Sequence, residues 1–132
     1  MLEWILEKAV FAWLEAAGWK VRIGGPLAPN EPVAERNSYD QTILSDRLRG
    51  ALSRLNPAIP VDCLDDVVHR LERQEVPSLV QSNRLFHRWL VRGFPVEYQG
   101  ADGSIKGDLV RLVDFDHPDA NDWLAVNQFT VV

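Results

Sequence analysis

The stretch that decides the fold runs from residue 78 to residue 93 and reads Ser78-Leu-Val-Gln-Ser-Asn-Arg-Leu-Phe-His-Arg-Trp-Leu-Val-Arg-Gly93. Serine is a common N-cap and glycine is common just after a helix, so these two residues bound a predicted helix. Apolar side chains recur between them at helical spacing, at Leu79, Leu85, Phe86, Trp89 and Leu90. The sequence therefore predicts one amphipathic helix between Ser78 and Gly93.

Three strand-like runs follow this helix. Apolar residues alternate with polar ones from Phe94 through Tyr98, which is the period of a strand. Asp102-Gly103 is a strong turn signal, and further apolar runs span residues 105–115 and 123–132. These runs predict a three-strand meander after the helix.

The chain before residue 78 is predicted to be mostly helical. It opens with an apolar stripe at helical spacing that ends at Gly18 and consists of Leu2, Ile5, Leu6, Ala9, Val10, Trp13, Leu14 and Ala17. Residues 19–23 resemble a short strand. Residues 24–32 contain two glycines and three prolines and therefore predict a loop. This segment predicts a helix, a short strand and a loop.

Two more helices are predicted between this loop and residue 78. Ser38 or Asp40 can cap the first, and the proline of Asn56-Pro57 ends it because a residue before proline disfavours the helical conformation. The second spans residues 61–75, carries an apolar stripe, and ends at Pro77. With the meander, these helices predict an α+β (α/β) fold in which helices pack on a mixed or antiparallel sheet.

Length and composition narrow the class of protein. A chain of 132 residues predicts a single domain, 1–132, mostly helical over 1–77 and carrying the helix and meander over 78–132. Its 19 acidic and 14 basic residues give a net charge of −5, which disfavours a dedicated helical DNA-binding domain. The sequence shows neither a membrane-length apolar run nor a signal-peptide pattern, and its single cysteine fits a reducing compartment. We therefore expect a cytoplasmic location.

A stripe of basic residues is the first candidate binding feature. Arg84, Arg88 and Arg92 recur at every fourth position of the predicted helix at 78–93 and therefore share one face. They could contact phosphates locally despite the negative net charge, or they could form an ordinary solvated face. Both interpretations remain open.

The other candidate features do not assemble a complete active site. His87 lies mid-helix beside Phe86 and is either a structural histidine or a ligand. The acidic segment Asp114-Phe-Asp-His-Pro-Asp-Ala-Asn-Asp122 lacks the glycine and the final glutamate of a calcium loop, and it predicts a turn capped by Asp and Asn side chains. P-loop, zinc-protease and serine-nucleophile motifs are absent from the sequence.

Several segments resemble, in the expected order, the start of the R (restriction) subunit of type I restriction-modification enzymes. They are Glu35-Arg-Asn-Ser-Tyr-Asp40, Arg54-Leu-Asn-Pro57, Asn83-Arg-Leu-Phe-His87, Val113-Asp-Phe115 and Asn121-Asp-Trp-Leu-Ala-Val-Asn-Gln-Phe-Thr-Val131. Leu-Asn-Pro or Asn-Gln-Phe alone would be weak evidence. In series they make the resemblance specific, and it covers nearly the whole chain.

The resemblance implies a function for the intact protein. Such a subunit joins a nuclease domain of the PD-(D/E)xK type to an ATPase motor, works with methylation and specificity subunits, and cuts unmodified double-stranded DNA with Mg and ATP. The catalytic Asp and Glu-x-Lys of the family lie beyond the Asn-Gln-Phe strand, and hence beyond Val132. We therefore expect the first half of the nuclease core, with no cofactor in this segment and no cleavage by the 132-residue piece alone.

The resemblance also implies candidate site residues. His87 resembles a histidine that related nucleases place near the metal, so it is expected to face the side of the sheet that carries the carboxylates, and Glu7 is a weaker metal candidate. The free edge of the last strand predicts a homo-oligomer contact. The alternative function is a non-catalytic DNA-defence scaffold or binding module that keeps only this half of the fold.

Overall fold

A computed structural model describes residues 2–73 and 78–132. Within these residues the chain forms four α-helices and four strands: α1 Leu2–Ala16, β1 Lys20–Ile23, α2 Ser45–Leu55, α3 Val61–Glu72, α4 Leu79–Arg92, β2 Phe94–Gln99, β3 Ile105–Val110 and β4 Leu124–Asn127. Strands β1 and β4 pair in parallel, whereas β2 and β3 pair antiparallel. The α+β prediction, with mixed strand directions, is confirmed.

The chain divides into two compact units. The N-terminal unit holds α1, β1, the loop at 24–44 and the segment 122–132, which includes β4. The central unit comprises residues 46–121 and holds α2, α3, α4, β2 and β3. None of the helices in the described ranges is both long and apolar enough for a membrane crossing. The single-domain assignment stays a prediction.

The central unit has a closed apolar core. One face of α3 supplies Leu64, Val67, Val68 and Leu71, and other elements add Leu52, Ile59, Phe94, Val96 and Val110. The four positions on α3 follow the i, i+3, i+4, i+7 spacing of one helix face. The inward stripe predicted for this helix is confirmed, except that Val61 is exposed.

The central helix α4 begins and ends where the sequence predicts. The hydroxyl of Ser78 accepts a hydrogen bond from the backbone N–H of Gln81, and Gly93 follows the last turn with a φ of 92°. Helix α3 ends at Glu72, three residues earlier than predicted, because Arg73 has already left the helical conformation. The predicted last turn at Glu75 and the stop at Pro77 lie outside the described residues.

The hairpin formed by β2 and β3 confirms the predicted turn at Asp102-Gly103. Gly103 has a φ of 83°, a conformation that glycine adopts without steric cost. The Asp102 carboxylate accepts hydrogen bonds from the backbone N–H and the hydroxyl of Ser104. Together with the Gly100–Ser104 backbone bond, these contacts close the hairpin.

Strand β3 ends at Val110, whereas the apolar run predicted a strand to residue 115. The reason is Asn56, whose side-chain oxygen accepts from the Arg111 N–H at 2.7 Å while its amide nitrogen donates to the Arg111 carbonyl at 2.9 Å. The asparagine therefore satisfies both backbone groups of the residue that would have continued the ladder.

The predicted three-strand meander is wrong. Strand β4 lies beside β1 in parallel, with Lys20 opposite Leu124 and Ile23 opposite Asn127. It is also shorter than the run at 123–132, because Gln128 takes a φ of 47° and ends the extended conformation. Apolar alternation identified the strand without indicating its neighbour.

The helix predicted to start near Ser38 or Asp40 begins at Ser45 instead. The side chains of Ser38 and Asp40 bond to each other, so neither caps a helix. The Gln41 side chain donates to the Ile43 carbonyl and the Ser45 hydroxyl, which holds the preceding residues in a loop. The structured part of the loop therefore extends well beyond the predicted range of 24–32.

Helix α1 forms as predicted, but its apolar stripe is not packed in a core. None of its residues is buried, and its exposed apolar side chains are Leu2, Trp4, Ile5, Leu6, Val10 and Trp13. Further along the N-terminal unit, Trp19 packs against Trp123 with their ring centroids 5.1 Å apart. Each tryptophan directly precedes its strand, so the pair lies where β1 and β4 begin.

Candidate nucleic-acid interface

The basic stripe on α4 is present and accessible. Arg84, Arg88 and Arg92 are all exposed. In the part of the chain that the structure describes, none of the three forms an ion pair. Their charges are therefore available to an anionic partner, although exposure alone does not separate a phosphate-binding stripe from a solvated face.

His87 does not face the sheet, so its predicted orientation is wrong. The inward positions of α4 are Ser82, Leu85, Phe86 and Trp89, which are buried or half-buried, whereas His87 is exposed. A residue one step from Phe86 lies about 100° around the helix axis and so leaves the packed face. A catalytic role for His87 stays a prediction, but the orientation on which that prediction was based is not observed.

A cavity of about 330 Å³ lies in the central unit between α3, α4 and the start of β2. Helix α3 contributes Asp66, His69 and Arg70, Arg73 follows the end of that helix, and the other two elements contribute Leu85, Trp89 and Phe94. Three aromatic rings adjoin one another here, with 4.6 Å between the centroids of Trp89 and Phe94 and 6.5 Å between those of Trp89 and Phe86. The cavity thus has an aromatic wall and a cationic rim.

Two arginines lie on this rim. Arg70 lies over the Phe94 ring at 4.8 Å, a cation–π contact, and neither it nor Arg73 has an ion pair among residues 2–73 and 78–132. The Nδ1 atom of His69 lies 3.9 Å from the Oε2 atom of Glu72. Sequence analysis assigned no role to Arg70 or Arg73. The available signal was their i, i+3 spacing at the end of the predicted helix, which extended to residue 75.

The Cys63 thiol on α3 is not an activated nucleophile. Burial and the nearby carboxylates of Asp66 and Asp108 raise its pKa above the ordinary value, which keeps the sulfur protonated near neutral pH. It is a free cysteine, as a single thiol must be within one chain.

The acidic turn at 114–122 is a hydrogen-bonded cap, as predicted. The Asp114 carboxylate accepts from the backbone N–H groups of Asp116 and His117, and the Asn121 side chain bonds the Asp114 backbone at both its N–H and its carbonyl. The His117 N–H and the nearby Arg111 guanidinium hold the pKa of Asp114 below its usual value. These hydrogen bonds hold the backbone of the turn in place.

In the N-terminal unit, the end of β4 meets β1 and α1. The amide nitrogen of Asn127 lies 3.3 Å from a carboxylate oxygen of Glu7, and its oxygen accepts from the Gly24 N–H at 3.3 Å. A Cβ at Gly24 would lie 2.3 Å from the Asn127 carbonyl oxygen, so only glycine fits. Glu7, the weaker metal candidate, therefore lies beside the end of β4.

A buried arginine in the same unit was missed by sequence analysis. Arg36 is 3% exposed, its guanidinium stacks 3.8 Å from the centroid of the Phe129 ring, and it donates to the carbonyls of Tyr39 and Gln41. Its Nε has no hydrogen-bond partner among the residues that the structure describes. Arg36 therefore contacts both the loop at 24–44, to which it belongs, and the segment that follows β4.

No metal centre is assembled by the side chains in the two described ranges. Nowhere there do three His, Cys, Asp or Glu side chains cluster closely enough to hold an ion. The fold and these surfaces define an α+β domain with an unpaired cationic stripe, an arginine-rimmed aromatic cavity, and no metal cluster among residues 2–73 and 78–132.

Comparison with known proteins identifies the family. The family model for the type I restriction enzyme R protein N terminus matches residues 3–132. The chain belongs to this family.

Two curated relatives agree with that assignment. The type I restriction enzyme HindI endonuclease subunit of Haemophilus influenzae is 33% identical over 126 residues, which cover 96% of this chain. A protein of Methanocaldococcus jannaschii, provisionally named as the type I restriction enzyme MjaIXP endonuclease subunit, is 27% identical over 129 residues, or 98% of the chain. The chain spans 12% of the length of each relative. No solved structure matches it.

Proposed function

We propose that this chain is the N-terminal part of the nuclease domain of a type I restriction enzyme R subunit. The intact subunit cleaves unmodified double-stranded DNA with Mg and ATP, in a complex with methylation and specificity subunits. The observation that carries the proposal is the family match over residues 3–132. The two relatives named as endonuclease subunits support it across at least 96% of this chain.

The residues that the structure describes do not by themselves fit a magnesium site. A nuclease metal needs several oxygen ligands converging on one point. Glu7 brings one carboxylate to the end of β4, where its neighbour is the Asn127 amide, and the described residues contain no cluster of three ligands. We therefore assign the catalytic carboxylates and lysine to residues outside this segment.

The junction of Gly24 with the end of β4 gives a direct test. In the full-length subunit, Gly24→Ala forces a Cβ against the Asn127 carbonyl, so it should displace the end of β4 and abolish cleavage of unmodified plasmid while ATP hydrolysis continues. Gly25→Ala is the matched control, because a Cβ there meets no atom within 4 Å and should leave cleavage unchanged.

The outcomes of this test separate the two candidate functions. Equal cleavage by the Gly24 and Gly25 variants would show that the end of β4 plays no part in the nuclease. If the assembled wild-type enzyme fails to cut unmodified plasmid at all, the non-catalytic defence scaffold becomes the better interpretation.

The 132-residue chain alone should neither nick plasmid DNA nor bind Mg tightly. The measurement is a plasmid-nicking assay with Mg, using protein purified free of contaminating nuclease. Nicking that co-purifies with the chain would overturn the assignment of the chemistry to residues outside this segment.

The stripe on α4 is proposed to contact duplex phosphates. In the full-length subunit, replacing Arg84, Arg88 and Arg92 by alanine should weaken DNA binding and reduce the slope of log K against log salt by up to about one unit per lost contact. An unchanged slope would leave the three arginines as a solvated face.

Two further proposals concern location and assembly. The cytoplasm is proposed as the compartment, in keeping with the restriction-enzyme relatives. A second copy is proposed to pack on the free edge of the sheet in the N-terminal unit. Sedimentation analysis over a range of concentrations tests the assembly, because a monomer at every concentration would exclude it.

A further inference from the structure

The cavity between α3 and α4 combines two features, a pair of basic side chains and an aromatic ring. Arg70 and Arg73 bring to one rim two guanidinium groups that form no ion pair among residues 2–73 and 78–132. Trp89 lines the same cavity and is half-buried, with the centroid of the Phe94 ring 4.6 Å and that of the Phe86 ring 6.5 Å from its own. The cavity therefore offers positive charge and an aromatic surface within the reach of one small ligand.

The chemistry of these groups selects the ligand class. Guanidinium groups match the geometry of phosphate oxygens and can bind them through paired hydrogen bonds. An accessible indole stacks on a nucleobase, an interaction that tolerates any base because every base has a π-face. A ligand that carries a phosphate next to a flat aromatic ring, as a nucleotide does, matches both groups of the cavity.

The size of the cavity separates a single nucleotide from a duplex. Its volume of about 330 Å³ lies at the lower end of the range for small-molecule sites, and its lining comes from the region of α3, from α4 and from the start of β2. A base inside a duplex is stacked on both faces and cannot present its ring to Trp89. Only an unpaired nucleotide can place its base in the cavity and its phosphate on the rim.

We propose that the cavity bounded by Arg70, Arg73 and Trp89 binds an unpaired nucleotide of single-stranded DNA. The phosphate lies against the two arginines and the base stacks on the indole. Asp66, one turn before Arg70 on α3, repels phosphate and so places it towards Arg73. This inference deepens the proposed function and rests on it for the choice of DNA, since it names the form of the substrate that this unit holds.

The test measures binding of the 132-residue chain to a fluorescein-labelled single-stranded 12-mer and to the matching duplex by fluorescence anisotropy. The wild-type chain should prefer the single strand. Trp89→Leu, which keeps apolar packing on Phe94, should weaken single-strand binding about five- to a hundredfold. Arg70→Ala with Arg73→Ala should weaken it as well and reduce the salt slope by about 0.7 per lost phosphate contact.

The charge-matched control is Arg49→Ala with Lys106→Ala, two basic residues of the central unit that do not line the cavity. This pair removes the same charge from the same unit outside the cavity and should leave single-strand binding within about twofold of the wild type. Circular dichroism checks that every variant is folded, and the conservative pair Arg70→Lys with Arg73→Lys should restore part of the binding.

Two results would overturn the inference. One is equal affinity for single strand and duplex in the wild type, and the other is wild-type single-strand binding by both cavity variants. Plasmid cleavage by the assembled enzyme is measured separately. If the enzyme cleaves plasmid but the chain shows no preference for single strands, only the proposed binding of a nucleotide in the cavity is contradicted. If the chain prefers single strands but the enzyme does not cleave, the proposed nuclease function is contradicted.

Discussion

Helices α1 and α3 have similar apolar stripes in sequence but opposite fates in the fold. Helix α3, in the central unit, buries Leu64, Val67, Val68 and Leu71, whereas α1, in the N-terminal unit, buries none of its residues. The difference is greatest at single side chains, since Val67 is 0% exposed and Trp13 is 70% exposed. An amphipathic pattern predicts a helix, but it does not show that the chain supplies a surface to cover it.

The covering surface explains the difference. Helix α1 has 15 residues and is therefore about 22 Å long at 1.5 Å per residue. It contacts β1 and β4, which have four residues each and span only about 13 Å at 3.3 Å per residue. Two short strands cannot cover such a helix. The central unit, with three helices and a hairpin of two six-residue strands, has its own core.

The largest expected effect is Phe94→Ala in the central core. Phe94 is 1% exposed and contacts both Trp89 and Arg70, so its removal leaves a cavity that the neighbours cannot fill. The free energy of unfolding should fall by about 3–5 kcal/mol in urea denaturation. Leu109→Ala on the exposed side of β3 is the control, and an equal loss there would contradict a core confined to the buried face.

A smaller effect is expected for Asn56→Ala, which removes the cap at the end of β3. Its side chain bonds both backbone groups of Arg111 and the Leu52 carbonyl, so alanine leaves buried polar groups without partners. The expected loss is about 1–3 kcal/mol. Asn83→Ala on the exposed face of α4 should change stability by less than about 0.5 kcal/mol. Equal losses of unfolding free energy in the two variants would contradict a capping role for Asn56.

Loss of the α4 cap should cost less again. Ser78→Ala removes the acceptor for the Gln81 N–H, and the expected loss is about 1 kcal/mol in the same denaturation experiment. Ser78→Asp should retain most of the stability, because aspartate also accepts at an N-cap. If the alanine and aspartate variants are equally unstable, the serine acts by something other than capping.

The smallest expected effect is Trp13→Ala on α1. In the 132-residue chain the indole is mostly exposed, so the free energy of unfolding should change by less than about 0.5 kcal/mol. The same change in the full-length subunit sharpens the comparison, since a loss of several kcal/mol there would show that the subunit covers the stripe. A large loss in the 132-residue chain would instead contradict the exposed placement of α1.

Sequence determined the features that depend on neighbouring residues. The caps of α4, the hairpin turn at Gly103 and the capped turn at Asp114 all rest on contacts within a few residues, and each was predicted correctly. The apolar stripe of α3 was predicted for the same reason, because helical spacing places its residues on one face. The family resemblance added what these local patterns could not.

Tertiary structure decided the features that join distant parts of the chain. Strand β4 pairs with β1 about one hundred residues earlier, and Asn56 ends β3 from 55 residues away. The rim of Arg70 and Arg73 becomes a candidate site only when α3 packs beside Trp89. Alternation and helical spacing describe which side of an element is apolar, whereas partners and cavities depend on which elements meet in space.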